Sequence, residues 1–378
     1  MSSSRSEQNI NSVIDAIQNI DNSTATYIMV GLIAIIIGLL IWYGISTARL
    51  PTTECNNIAT LYSSLNGQIR SLNSKDTNCQ YNFRDYYIKT AYNCCSGGSY
   101  KNDFVAKCVL PGILKQGVRG LDFEVFSVNN QPVVATSTVN SNFVKETYNY
   151  ISLADIMTVV TNYAFSSSTS PNPADPIIFH IRFKSANQEM YQNLANLFKT
   201  YDSFFLGSEY SYETNGNNFG LTPLLSMSGK IVLIVDNFNT SFMDNADFYE
   251  YVNMTSNSIF MRALHYYDVK NTPDINELQQ YNKQNMTITM PDVGENPPNP
   301  SGIVCRETGA QMIAMRYQLD DVNLEENNAF FNSGGYAFVL KPEKLRYIPV
   351  TIPDPTPQNP ALSYAPRKVS SDYYSFTI

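Results

Sequence analysis

The sequence predicts an α/β protein, a parallel sheet behind one apolar helix. Two observations predict it. Nineteen uncharged residues, Tyr27 to Ile45, lie near the N-terminus. Beyond them, strand-like and helix-like stretches alternate, the pattern of βαβ units and a parallel sheet. Eight such units close a barrel with its active site at the carboxyl ends of the strands.

The apolar run is "YIMVGLIAIIIGLLIWYGI". At ~1.5 Å per residue it crosses a hydrocarbon core of roughly 30 Å. Tyr27, Trp42 and Tyr43 stand near its ends, where interfacial aromatic residues belong. A cleaved signal peptide would have a basic leader and a shorter core. Here Glu7, Asp15 and Asp21 accompany Arg5. The reading is a single transmembrane helix over 27–48, in contact with a lipid bilayer. Its short flanks carry Arg5 and Arg49, so basic charge leaves the orientation open. In the N-terminal segment 1–26, Ile10, Val13, Ile14, Ile17 and Ile20 recur at helical spacing. That segment reads as an amphipathic helix on the membrane surface, or as one that binds a partner. Residues 49–80 read as a stalk or cap.

The globular part begins near Tyr81. "FRDYYIKTAY" reads as a strand and "KNDFVAKCVLPGILKQGV" as a helix broken or ended at Pro111. "RGLDFEVFSV" and "QPVVATST" are strands, and "SLADIMTVVTNYAF" is a helix with Leu153, Ile156, Val160 and Tyr163 on one face. "PIIFHIRF" is a buried strand, "ANQEMYQNLANLFKTYDSFF" a helix and "GKIVLIVDNF" a further strand. The two halves of this body are 81–240 and 241–350. The last stretch, 351–378, is Pro-rich, so it should be extended, wrapping the domain or reaching a neighbour.

Composition narrows the partners. A net charge of −8 argues against nucleic acid, whose phosphates require a basic surface. The six cysteines are Cys55, Cys79, Cys94, Cys95, Cys108 and Cys305. None are spaced as a CxxC pair, so no zinc site is expected. In an oxidising space Cys55 and Cys79 would staple the stalk; otherwise all six are buried thiols. Asn-x-Ser/Thr sequons start at Asn22, Asn239, Asn253 and Asn285, and in so Asn-rich a chain they do not by themselves establish secretion.

From Tyr81 to Arg346 the chain resembles the phosphoinositide-specific phospholipases C. "VLPGILKQGVRGLDFEVFSVNNQPVV", "LADIMTVVTNYAF", "DPIIFHIRF" and "LLSMSGKIVL" resemble the X region of that family, in order. "YNKQNMTITMP", "GAQMIAMRYQ" and "NSGGYAFVLKPEKLR" resemble the Y region. The resemblance implies a distorted TIM barrel divided by an X–Y junction around 237–275. No room is left for pleckstrin, EF-hand or C2 modules.

The family's chemistry uses two histidines as general base and acid, because their pKa lies near neutrality. A calcium ion on oxygen ligands offsets the charge that develops on phosphorus. Tyr92 stands at the first histidine's position, followed by Asn93, and Thr136 at the second. The calcium-site positions carry Asn93, Asp122, Glu124 and Arg182. Two unit charges ~4 Å apart at an effective dielectric of 20 interact by about 4 kcal/mol, and calcium carries twice that charge. A guanidinium there would repel the ion. Ile234 and Asp236 occupy the phosphate-clamp lysine positions, and Ile288 and Met290 those of the Y-region arginine and tyrosine. His180, within "IIFHIRF", falls on neither histidine position and reads as a core residue.

The expectation is therefore a membrane-anchored, catalytically inactive phospholipase-C-like barrel, structural or adaptor-like, with no cofactor. Arg182 should stand in for calcium between Asp122 and Glu124, unless strand alternation turns it outward. Composition and anchor point to a large DNA virus, with the internal membrane of the particle as location and capsid proteins as neighbours. The alternatives are a phosphodiesterase working through Tyr92, Asp122, Glu124 and His180, with calcium as cofactor, and a lipid-headgroup receptor that does not hydrolyse.

Overall fold

The structure is a computed structural model describing residues 22–141, 143–212, 218–349, 354–357, 359 and 364–378. The amphipathic spacing at 10–20 lies outside the described residues. Residues up to Arg346 form one compact unit, and Tyr347–Ile378 form a second.

The apolar run lies in α1 (Asn22–Leu61), a helix long and apolar enough to cross a membrane. It does not stop at 48. Pro51 takes one N–H out of the hydrogen-bond ladder, yet the helix continues through it. Beyond the proline, Glu54, Ile58 and Tyr62 recur every fourth residue and are all buried. They hold the last turns of α1 against the domain, so the first third of the expected stalk is packed helix. Gly112 permits the approach, since a Cβ there would lie 2.7 Å from Ile58 Cγ2. Cys55 is bonded to Cys108, not to Cys79, the partner read for it in an oxidising space. Cys79, Cys94, Cys95 and Cys305 are buried and free. Sequence proximity misled the pairing, because α1 carries Cys55 away from Cys79 and onto the loop before the next helix.

The first half of the body runs β1 (Tyr86–Ala91), α2 (Val109–Lys115), β2 (Gly120–Val128), β3 (Gln131–Ala135), β4 (Ile151–Ser152), α3 (Leu153–Tyr163), β5 (Ile177–Phe183), α4 (Gln188–Thr200) and β6 (Ile231–Asp236). The second half runs α5 (Ala246–Tyr249), β7 (Met254–Ser256), β8 (Met261–His265), α6 (Tyr266–Lys270), α7 (Ile275–Gln284), β9 (Met286–Met290), α8 (Gly302–Glu307), β10 (Met312–Met315), α9 (Val322–Gly334) and β11 (Phe338–Leu340). Pro111 does not end a helix. It sits in the first turn of α2, where its missing N–H is no loss.

The parallel ring has the order β7-β6-β5-β2-β1-β10-β9-β8. Its ladder is open between β7 and β8. One run of chain supplies both: β7 pairs back to β6, and after a four-residue bend β8 pairs with β9. Side chains alternate across this sheet. Ile88, Ile178, Val232, Ile234, Ile288 and Met312 fill the interior. Leu121, Phe123, Phe179, Ile181, Leu233 and Val235 face outward and pack with Ile156, Val160, Leu194 and Phe198 of the helices.

The stretch "NSGGYAFVLKPEKLR" divides between two elements. Its first residues finish α9, and Gly335, at φ +71°, caps that helix in the left-handed region. β11 then pairs antiparallel with β1, off the parallel ring. In the second unit, β12 (Lys368–Ser370) and β13 (Ser375–Thr377) form a hairpin. Extended chain was expected there, but no proline follows Pro366, so this end can pair with itself.

Candidate functional site at the barrel mouth

β2 and β5 are paired so that Asp122 stands opposite His180 and Glu124 opposite Arg182. All four side chains are buried. The Arg182 guanidinium lies between the two carboxylates. Its Nε donates to Asp122 Oδ1 at 3.0 Å and its Nη2 to Asp122 Oδ2 at 2.7 Å. Its Nη1 donates to Glu124 Oε1 at 2.8 Å. Nη2 also donates to Asn93 Oδ1 at 3.0 Å, and the Asn93 backbone N–H donates to Asp122 Oδ2. Strand alternation therefore turns Arg182 inward, and one cation draws Asn93, Asp122 and Glu124 together.

The electrostatics follow from this geometry. Burial alone would push the Asp122 carboxyl up, but Arg182, with His180 beside it, holds it well below the usual carboxylate range. Burial disfavours the charged guanidinium, but Asp122 and Glu124 outweigh it and hold Arg182 above its ordinary value. Burial pushes the Tyr92 phenol up, out of reach of neutral-pH chemistry.

His180 is also tied in. Its Nδ1 lies 2.6 Å from Asp122 Oδ1 and its Nε2 2.9 Å from Ser256 Oγ. The ionised Asp122 can only accept, so Nδ1 carries the proton it faces. Ser256 Oγ donates to Asp236 Oδ1 at 3.3 Å, which also accepts from Asn257 Nδ2 at 2.6 Å. A continuous polar chain thus runs from Glu124 through Arg182, Asp122, His180 and Ser256 to Asp236.

Aromatic rings cover the other side. The Arg182 guanidinium carbon lies 4.7 Å from the Tyr92 ring centroid. Tyr92 meets Tyr100 edge to face at 5.5 Å, and Arg316 sits over Tyr100 at 4.9 Å. Tyr92 thus fills the place where the resemblance puts a histidine. Thr136, at the second such place, donates from Oγ1 to the Tyr100 carbonyl at 2.9 Å.

The chain leaving β3 folds across the carboxyl ends of the strands. Ser137 donates from N and Oγ to Glu124 Oε2. Lys184, just past β5, donates to the carbonyls of Val139 and Asn140. Asn140 Nδ2 lies 2.6 Å from Nε2 of His265, at the end of β8, and Gly294 N donates to the Thr138 carbonyl. His265 Nδ1 faces the Pro291 carbonyl, so it carries a proton, and a neutral ring leaves Nε2 to accept from Asn140. The strap is anchored on both sides of the ring.

The expected clamp positions do not gather into a binding surface. Ile234, Ile288 and Met290 belong to the apolar interior, and Asp236 faces Ser256 and Asn257. Sequence reasoning missed Ser256, Lys184 and the Tyr100–Arg316 pair. The alternation of "IIFHIRF" placed His180 on the face of Arg182, but the other three come from separate loops and strand ends that no local pattern connects. Among the described residues, no group of three or more His, Cys, Asp or Glu is placed to hold a metal ion.

Residues 232–344 match the family model described as phosphatidylinositol-specific phospholipase C, Y domain. That match begins inside β6, ahead of the boundary at 241 read from the sequence. PLC21 of L. pealei superposes with a TM-score of 0.58 at 16% identity, over 72% of this chain and 38% of that one. PLC21 of S. officinalis gives 0.54 at 14%, over the same shares. The chain thus spans less than two fifths of either protein's length. A calcium-dependent phosphoinositol-specific phospholipase C from a Pseudomonas sp. is 11% identical over 70% of this chain and 96% of that one, with a TM-score of 0.43. No curated protein matches the chain by sequence. Residues 232–344 are thus similar to the Y domain of the phosphatidylinositol-specific phospholipases C, and the chain folds as a barrel of the phospholipase C type.

Proposed function

We propose that this is a membrane-anchored, catalytically inactive member of the phospholipase C fold with a structural or adaptor role. One observation carries the reading: Arg182 occupies the space between Asp122 and Glu124 where the resemblance puts calcium. Such an ion would have to displace a guanidinium that makes four hydrogen bonds. Tyr92 and Thr136 supply no general base or acid near neutral pH. On this reading α1 is the anchor, and the protein neighbours are capsid proteins at the membrane of a virion. The test is turnover of phosphatidylinositol in mixed micelles by the full chain, with and without calcium. No turnover is expected in either case, and calcium-dependent turnover would sink the proposal.

The hydrogen bonds Asp122–His180–Ser256 favour one other reading, a phosphodiesterase with altered chemistry. A buried carboxylate orients an imidazole toward a hydroxyl, as in nucleophilic hydrolases, and the pair would become active once the Ser256 hydroxyl turns from Asp236 Oδ1 to donate to His180 Nε2. Turnover that is calcium-independent and lost in H180A would establish it.

A further inference from the structure

Two of the sequons bear on which side of the membrane the barrel occupies. Asn253 is buried, and its Nδ2 donates to the Tyr210 carbonyl at 3.2 Å while its Oδ1 accepts from Leu233 N at 2.8 Å. Asn239 is buried too, its Nδ2 facing the Phe183 and Ser185 carbonyls. An N-linked glycan attaches at Nδ2. At Asn239 it would replace one of two N–H groups that the fold uses, and at either asparagine it would put a sugar where strand ends pack.

Folding cannot shield these asparagines in time. Sequons are modified on an unfolded chain as it enters a glycosylating lumen. The ring here closes only when β1 pairs with β10, and both asparagines precede β10 in the chain. A barrel carried through such a lumen would be exposed to the glycosylating enzyme before it could fold. Yet Cys55 and Cys108 are joined, which requires an oxidant. The other four cysteines are buried and free, so a folded barrel offers only this pair for oxidation.

We propose that α1 carries only the segment before it across the membrane, and that the barrel folds, unglycosylated, on the side where it is made. Cys55–Cys108 then closes there, after folding. Two thiols lose two protons and two electrons to a disulfide-bearing oxidoreductase, which is reduced to its dithiol. This rests on the reading of α1 as a membrane anchor.

The test is the full chain made in a glycosylating eukaryotic cell, as wild type and as V13T, a change that completes a sequon at Asn11 on the other side of α1. Glycosidase-sensitive mass shifts and mass-spectrometric mapping are the readout. Asn11 should be glycosylated in V13T, with Asn239, Asn253 and Asn285 bare in both chains. A glycan on any of those three overturns the proposal, and so does a bare Asn11 in a V13T chain that alkaline carbonate fails to release from membranes. A bare Asn11 in a V13T chain that carbonate does release sinks the anchor reading itself. Alkylation of the native chain, then of the denatured chain, should leave Cys55 and Cys108 unmodified and reach the other four thiols only on denaturation. Alkylation of Cys55 and Cys108 without a reductant overturns the closing step.

Discussion

Glu124 and Arg182 face each other across the β2–β5 ladder, two register steps beyond Asp122 and His180, and Arg182 Nη1 reaches Glu124 Oε1 at 2.8 Å. The pair is buried together with Asp122, so removing the cation leaves two carboxylates in an apolar barrel without their counter-charge. Breaking a buried ion pair from one side costs on the order of 3–5 kcal/mol. R182M should lose about that much stability in urea unfolding. A loss under about 1 kcal/mol would mean that the pair contributes no more than an exposed one.

R182E would put a third carboxylate among Asp122, Glu124 and Asn93. Calcium should then raise the melting temperature of this variant and leave that of the wild-type chain unchanged. Phosphatidylinositol turnover should remain absent in both. A calcium response in the wild-type chain would show that Arg182 does not exclude the ion.

Restoring histidines alone should not revive hydrolysis. The double variant with Tyr92→His and Thr136→His keeps Arg182 in the calcium position and keeps the strap over the strand ends. Calcium-dependent turnover from it would show that the arginine is not what keeps the barrel inactive.

Glu54, near the end of α1, packs against Gly97, Gly98 and Asp103. Burial, reinforced by Asp103, pushes its carboxyl from an ordinary 4.5 to about 9. The folded state holds the proton more tightly than the unfolded one. The stability linked to this proton is fully present below pH 4.5 and is lost as pH rises through 9. The melting temperature should fall between about pH 5 and 9, and E54Q should reduce the slope. An equal slope in E54Q would assign the effect to other groups.

Lys89, fully buried with Nζ on the Gln116 carbonyl, shifts the other way. Burial lowers its ammonium from 10.5 to about 7. Between those values the unfolded chain binds more protons, so this group makes stability rise with pH. The K89M variant, measured against wild type from about pH 7 to 10, should lack that rise. A rise of the same size in K89M would place the lysine's charge in solvent.

Much of the barrel was legible because its strands are short apolar runs bounded by turn residues, and "RGLDFEVFSV" and "PIIFHIRF" could be placed within a residue or two. The arginine site was legible because Asp122, Glu124 and Arg182 lie on paired strands whose alternation puts them on one face. Pro111 misled local reading, since a proline opens helices as well as ending them. The Cys55–Cys108 bond and the strap's anchors, Lys184 and His265, were not legible. Each joins residues far apart in sequence: Cys55 and Cys108 by 53 positions, Lys184 and Asn140 by 44, His265 and Asn140 by 125.

The unbroken course of α1 has a mechanical consequence. Its lower turns are clamped to the barrel by a disulfide and by Ile58 and Tyr62, so the apolar end of the helix and the barrel turn as one body. Each residue in an α-helix adds about 100° of rotation and ~1.5 Å of rise. With α1 as the anchor proposed above, the bearing of the barrel mouth around the membrane normal would be set by a residue count between Tyr43 and Glu54. One alanine inserted after Thr47 would swing the barrel by more than a quarter turn, while four would return it to nearly the same bearing, about 6 Å farther out.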